Sequence, residues 1–212
     1  MTNSESRHGD WLIARRQTSG RGRQGRAWTS QEGNVLGSVL VELVPDDPPA
    51  TLLSLLAGVG VIEALAATPP HYSANLKWPN DIMLGDAKAG GILLERQGSR
   101  IVIGFGINLA IAPEIPDRKT ARFDPPIAVV DFAPLLAADF GNLFRRWRLG
   151  DSQDWLISAW QASAHPLGTP LAIHVSAGEK VDGQFAGIEP DGALRLRTGA
   201  GVQVIRAGDV EL

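Results

Sequence analysis

Three glycines and three arginines alternate from Gly20 to Arg26, inside a run that starts at Gln17 and ends at Trp28. Glycine lets a backbone bend closely around a ligand. Guanidinium groups meet phosphate and carboxylate with paired donors. The segment suits neither a helix nor a strand and reads as a loop built to hold anions. Taken literally, Gly20 to Gly25 has the glycine spacing of a dinucleotide-binding turn. That turn needs a helix immediately after it, and Ala27 to Gly33 carries no apolar helical period, so the match is rejected. Arg15 and Arg16 add to the local charge, yet the whole chain carries a net charge of −3. A basic loop on a slightly acidic body favours a small anionic ligand over a long polyanion.

Lys77-Trp78-Pro79-Asn80-Asp81 is the second cluster, with a lysine, an aromatic and two oxygen-bearing side chains on a rigid corner. Alone it reads equally as an Asn-Asp turn beside a surface lysine. Lys88 follows, just ahead of Ala89-Gly90-Gly91 and an apolar strand, where a close backbone turn would aim its ammonium at a site. The third cluster is Gly104-Phe105-Gly106-Ile107-Asn108; glycines inside a strand mark a bulge or a ligand lying on the sheet, and Asn108 can both donate and accept.

Strand and helix signals place these groups. Trp11 to Ala14 leads into the arginine loop, and Val35 to Val44 reads as a second strand. Pro48-Pro49 opens a helix over 50–67. Segments 74–78 and 82–84 flank the Pro-Asn-Asp corner. Strands follow at 89–95 and across 101–109. The proline-rich 112–127 stretch reads as a long surface loop. Asp131 can cap a helix to about Trp147, with Leu135, Leu136, Phe140, Leu143, Phe144 and Trp147 on one face. A further helix at about 152–163 turns Trp155, Leu156 and Trp160 inward. From Gly168 on, short alternating strands are separated by turn signals at Ala177-Gly178, Glu189 to Gly192, and Gly199 to Gly201, which suggests a small β-barrel.

Composition sets the bounds. The chain has 212 residues, 44% of them hydrophobic, and no cysteine. That is enough for one substantial domain with a small appendage. It excludes disulfides, thiolate zinc sites and cysteine nucleophiles, and suits a reducing cytoplasm. Met1 to Asp10 is polar, so no secretory signal is expected. The apolar 50–67 segment is broken by Ser54 and Glu63 and reads as a buried helix, not a membrane span. His8, His71, His165 and His174 are scattered without metal-ligand spacing.

Taken together and in order, the three clusters make the chain similar to the biotin protein ligases over about 11–212. The matching motifs are Gly-Arg-Gly-Arg-x-Gly-Arg-x-Trp at 20–28, Lys-Trp-Pro-Asn-Asp at 77–81, Lys-x-x-Gly-Ile-Leu at 88–93 and Gly-x-Gly-Ile-Asn at 104–108. The resemblance implies an α/β (α+β) fold: a mixed-sheet catalytic domain at 1–166 and an SH3-like β-barrel at 167–212. It implies ATP and biotin as substrates, Mg2+ as the accompanying ion, and the biotin carboxyl carrier domain of acetyl-CoA carboxylase or another carboxylase as partner. It also implies a cytoplasmic, ATP-dependent ligase that engages neither DNA nor membrane, and admits a homodimer. The monofunctional type is expected, since no helix-turn-helix precedes the loop.

By position in those motifs, Gln17 and Arg21 resemble residues that contact biotin's head and the loop backbone, with Gly20 and Gly22 shaping the loop. Arg23 resembles the arginine that binds phosphate and retains the adenylate. Arg26 would face the nucleotide phosphates and Trp28 would wall the pocket. Lys88 matches the lysine at the biotin carboxylate and reaction centre, with Gly91 beside it. Lys77 would assist at the phosphates, while Asn80 and Asp81 would hold metal or the incoming lysine. Gly104, Gly106 and Asn108 would form the floor, and the 112–127 loop would cover adenine. Family members carry a Ser-Thr-Asn segment some twenty residues before the glutamine matched by Gln17. Here Thr2-Asn3 is the candidate counterpart. A lipoate or octanoate ligase, and a non-catalytic module whose Arg-Gly loop binds RNA, are the competing readings.

Overall fold

The computed structural model describes residues 5–116, 118–150, 152–176 and 179–211. Thr2-Asn3 and the turn expected at Ala177-Gly178 lie outside them. Six strands form the first sheet: β1 (Trp11–Ile13), β2 (Val35–Glu42), β3 (Asn75–Lys77), β4 (Asp81–Leu84), β5 (Ala87–Gln97) and β6 (Arg100–Ile107). Their spatial order is β1-β2-β6-β5-β4-β3. Every ladder in this sheet is antiparallel. Among the described residues, parallel pairing, which the expected mixed sheet requires, enters only through isolated bridges from Leu76 to Ala164 and from Lys88 to Thr120.

Register decides which residues the sheet offers to a ligand. Gly91 pairs with Gly106 and Leu93 with Gly104, while Gly104 and Gly106 pair on their other side with Ser38 and Leu36. Side chains alternate across a strand, so these positions share one face, and glycine leaves much of it bare. Ile92, Ile103, Phe105 and Ile107 fall between them and are buried.

Helix α1 (Leu53–Ala67), entered through a 3-10 turn at Ala50–Leu52, packs against β5 and two later helices. It is apolar nearly all round, as a helix covered on all sides must be. Residues Ala50–Ala67 would pass for a membrane span by length and hydropathy, yet most of the segment is buried inside the fold. Helix α2 (Val129–Leu149) lays the stripe Phe132, Leu136, Phe140, Leu143, Phe144 and Trp147 against it. Phe140 also meets Phe105 and Trp11 edge-on. Asp131 is not the cap expected: the helix starts at Val129, after Ala128, and Asp131 sits in the first turn, where its charge complements the helix dipole. Helix α3 (Asp154–Ser163) buries Leu156 and Trp160.

The 112–127 stretch is less of a surface loop than its prolines suggest. Phe123 and Ile127 are buried in the core, which draws the chain back across the sheet end. The second sheet contains β7 (Pro170–Ser176), β8 (Glu179–Ile188), β9 (Leu194–Thr198), β10 (Gly201–Ile205) and β11 (Asp209–Glu211). Its order is β10-β9-β8-β7-β11, with antiparallel ladders throughout. It is tied to the first sheet by polar contacts: Trp78 donates its indole N–H to the Gly192 carbonyl at 3.0 Å, and Thr51 donates to the Asp191 carbonyl at 2.7 Å.

Candidate active site

A cavity of about 1170 Å³ lies over the bare sheet face, where the arginine loop, the β3–β4 corner, the start of β5, the 118–119 segment and β11 meet. Single-ligand pockets run to about 1,000 Å³, so this one lies above the top of that range.

The loop is an ordered turn. The Gly22 N–H donates to the Arg26 carbonyl at 2.7 Å, and Trp28 donates to Gly20 at 3.0 Å. Its tip turns through Gln24 and Gly25, both with positive φ. A Cβ at Gly20 would stand 2.5 Å from the Trp28 carbonyl oxygen, so glycine is required where the loop closes. Trp28 then lies flat on the sheet: a Cβ at Gly106 would come within 2.5 Å of its indole.

Arg23 donates to Asn80 Oδ1 at 3.3 Å and to the Gly208 carbonyl at 3.1 Å. Arg26 places one guanidinium nitrogen 3.0 and 2.9 Å from the two oxygens of Asp209, and Arg23 lies 3.3 Å from the same carboxylate. On the facing side, Asp81 pairs with Lys88 and stands 3.5 Å from Lys77. Lys77 also donates to the Val210 carbonyl at 3.1 Å. The Lys88 ammonium is 5.8 Å from the centre of the Trp28 ring, within cation–π range. Burial pushes the Lys88 pKa below the ordinary lysine value; Asp81 opposes that shift, while Arg118 and Lys77 reinforce it.

Of the residues expected from the motifs, Gln17, Arg21, Gly22, Arg23, Arg26, Trp28, Lys77, Asn80, Asp81, Lys88, Gly91, Gly104 and Gly106 line the cavity. Gly20 and Asn108 do not. Gly20 shapes the neck of the loop. Asn108 is 3% exposed, and its side chain is turned to Asn34 and to the Ala121 carbonyl; its place on the floor is therefore corrected to a strut behind it. Sequence reasoning missed Asp209, Glu211 and His174 from the C-terminal sheet, Arg118 and Lys119 from the 112–127 segment, and Leu12 and Ser38 on the floor. Only Leu12 and Ser38 had a local signal, by alternation within their strands. Among the described residues, no group of three His, Cys, Asp or Glu side chains could cage a metal ion.

Residues 1–111 match the biotin/lipoate A/B protein ligase family, and residues 172–212 match the biotin protein ligase C terminal domain. The chain belongs to the biotin/lipoate A/B protein ligase family. It is 36% identical to a biotin–[acetyl-CoA-carboxylase] ligase of Paracoccus denitrificans, across 94% of this chain and 89% of that one. A Mycobacterium tuberculosis enzyme of the same description is 34% identical across 94% and 77%. The solved biotin protein ligase from Aquifex aeolicus in complex with biotin and ATP superposes with a TM-score of 0.85 at 25% identity, covering 98% and 90%.

Two expectations follow from this geometry. Asp209→Ala removes the carboxylate that ties Arg23 and Arg26 to β11, so trypsin should cut the 20–27 loop several-fold faster; unchanged cleavage would mean the tie does not hold the loop. Lys88, whose pKa is depressed by burial, binds its proton more weakly in the folded protein than in the unfolded chain. The burial penalty is full below the folded pKa and is relieved as the pH rises from there to the ordinary lysine value, so stability should increase across that window. Urea unfolding at a series of pH values should show this rise in the unaltered protein and a flatter profile in Lys88→Met.

Proposed function

We propose that this protein is a biotin–[acetyl-CoA-carboxylase] ligase, joining biotin to ATP as biotinyl-5'-AMP and passing the biotinyl group to a lysine of a biotin carboxyl carrier domain. The observation that carries the reading is the gathering of Arg23, Arg26, Lys77 and Lys88 around one cavity whose floor is a glycine-bared sheet. Its family and its relatives support the same reaction.

In the first step a carboxylate oxygen of biotin attacks the α-phosphorus of ATP, and pyrophosphate leaves. Both reactants are anions, so catalysis is chiefly positioning and stabilisation of charge. The apolar body of biotin suits the surface formed by Leu12, Leu93 and Gly104, beside the Trp28 indole that covers Gly106. Lys88 is the cation for its carboxylate, and Arg23 and Arg26 are the donors for the phosphates. Trp28 packs on Gly91 and Gly106 and walls the pocket, so that it shields the product from water on that side. In the second step the carrier amine attacks the acyl carbon, the C–N bond forms, and AMP departs with the anhydride oxygen as a proton is lost. Asp81 and Asn80 stand where that amine would approach.

Mg2+ usually binds through one or two carboxylates plus substrate phosphates. Asp81 and Asn80 are the donors that an ion arriving with ATP would meet, and its chemistry would be to neutralise triphosphate charge. A cytoplasmic location, where ATP and carrier are both available, fits this function.

Biotin-dependent ATP–pyrophosphate exchange tests the assignment. Exchange with lipoate but not biotin would overturn it, as would salt-sensitive RNA binding without exchange. Lys88→Ala should lower the exchange rate by about a hundredfold or more; near-normal exchange would remove Lys88 from the reaction centre. Arg23→Gly should still form the adenylate but release it early, read as faster dissociation of biotinyl-5'-AMP; an unchanged off-rate would refute that role.

A further inference from the structure

Asn34, Thr68 and Asn108 are the buried polar residues among those described, and two of them touch each other. Asn34 is 4% exposed at the entry to β2. Its Nδ2 donates to the Ile111 carbonyl at 2.7 Å and to Asn108 Oδ1 at 3.4 Å. Its Oδ1 accepts from the N–H groups of Ala110 and Ile111, each at 3.1 Å. The amide has both donors and its acceptor engaged, as a buried Asn requires.

The network continues toward the reaction centre. Asn108 donates from Nδ2 to the Ala121 carbonyl at 3.1 Å and from its backbone N–H to Ala89 at 2.7 Å. Ala121 in turn donates to the Lys88 carbonyl at 2.9 Å, and Lys88 donates to the Lys119 carbonyl at 3.0 Å. The main chain of Lys88 is thus bracketed by the 119–121 segment, and that segment is held by Asn108, whose side chain is in turn met by Asn34.

We propose that Asn34 is a positioning residue for adenylate formation, acting through Asn108 and the 119–121 segment to set where the Lys88 ammonium stands. The proposal rests on the role given to Lys88 above. It explains why polar side chains are kept in an apolar sheet end: a fully satisfied buried network specifies one geometry, and a broken one is costly. A displacement of the order of 1 Å at a reacting group can lower a rate by about a hundredfold.

The test is biotin-dependent pyrophosphate exchange with the full chain, alongside thermal midpoints. Asn34→Ala should lower kcat at least about tenfold, with the biotin KM changed less than about threefold, because a misplaced Lys88 costs the transition state more than binding. Asn34→Asp keeps the acceptor for Ala110 and Ile111 but sets a carboxylate oxygen against the Ile111 carbonyl and Asn108 Oδ1, so its kcat should fall at least as far as that of Asn34→Ala; it carries the test if Asn34→Ala does not fold. Combining Asn34→Ala with Asn108→Ala should add little to the kcat loss, as expected for residues acting as one unit. Thr68→Val is the control. Thr68 donates to the Ala64 carbonyl at the end of α1, away from the cavity, so its loss should lower the midpoint and leave kcat unchanged. Normal kcat in Asn34→Ala, or kcat falling in both variants in step with the midpoint, would overturn the proposal alone. Absence of exchange in the unaltered protein would overturn the functional reading as well.

Discussion

Asp81 stands between the ammonium groups of Lys77 and Lys88, and Asp209 stands between the guanidinium groups of Arg23 and Arg26. The rest of the site depends on these two carboxylates. A reaction between two anions needs cations crowded into a small volume before the substrates arrive, and crowded cations repel one another. Each carboxylate offsets that repulsion and sets the direction in which its partners point.

That arrangement makes the second sheet part of the cavity wall. Asp209 and the carbonyls of Gly208 and Val210 all belong to it or its approach, and they hold Arg23 and Arg26 of the arginine loop and Lys77 of the first sheet. Trp78 reaches across to the Gly192 carbonyl in the same way. The Lys-Trp-Pro-Asn-Asp corner is therefore a tie between the two sheets as well as a source of site residues. The floor obeys a different constraint. Glycine on adjacent strands strips the sheet of side chains, and the vacated space is taken by the Trp28 indole and by whatever lies beneath the loop.

Much of this was legible in the sequence, and the reason is physical. Gly20, Gly104 and Gly106 mark places where a Cβ would collide or fill a ligand's space. The Arg-Gly alternation marks an anion loop, and Lys88 ahead of two glycines marks a lysine aimed inward. These are local properties of spacing and residue type. Asp209 carried no such mark: an aspartate after a glycine near the chain end is an ordinary turn residue until folding brings it to Arg26. Asn34 was hidden for the same reason, and Asn108 was read as floor where it is a strut, because a buried amide is recognised only by its partners. The 112–127 stretch misled in the opposite direction. Its prolines advertised surface loop, and Phe123 and Ile127 were the apolar residues that pull it into the core.

By itself the sequence determined the chemical inventory and the faces on which it is displayed, since strand alternation, glycine placement and the α1 apolar run are set by neighbouring residues. Only the tertiary structure decided which charge meets which. The pairing of Arg23 and Arg26 with Asp209, and the chain of hydrogen bonds from Asn34 to Lys88, join residues far apart along the chain. Such contacts are chosen by the packing of two sheets, and no local spacing encodes them.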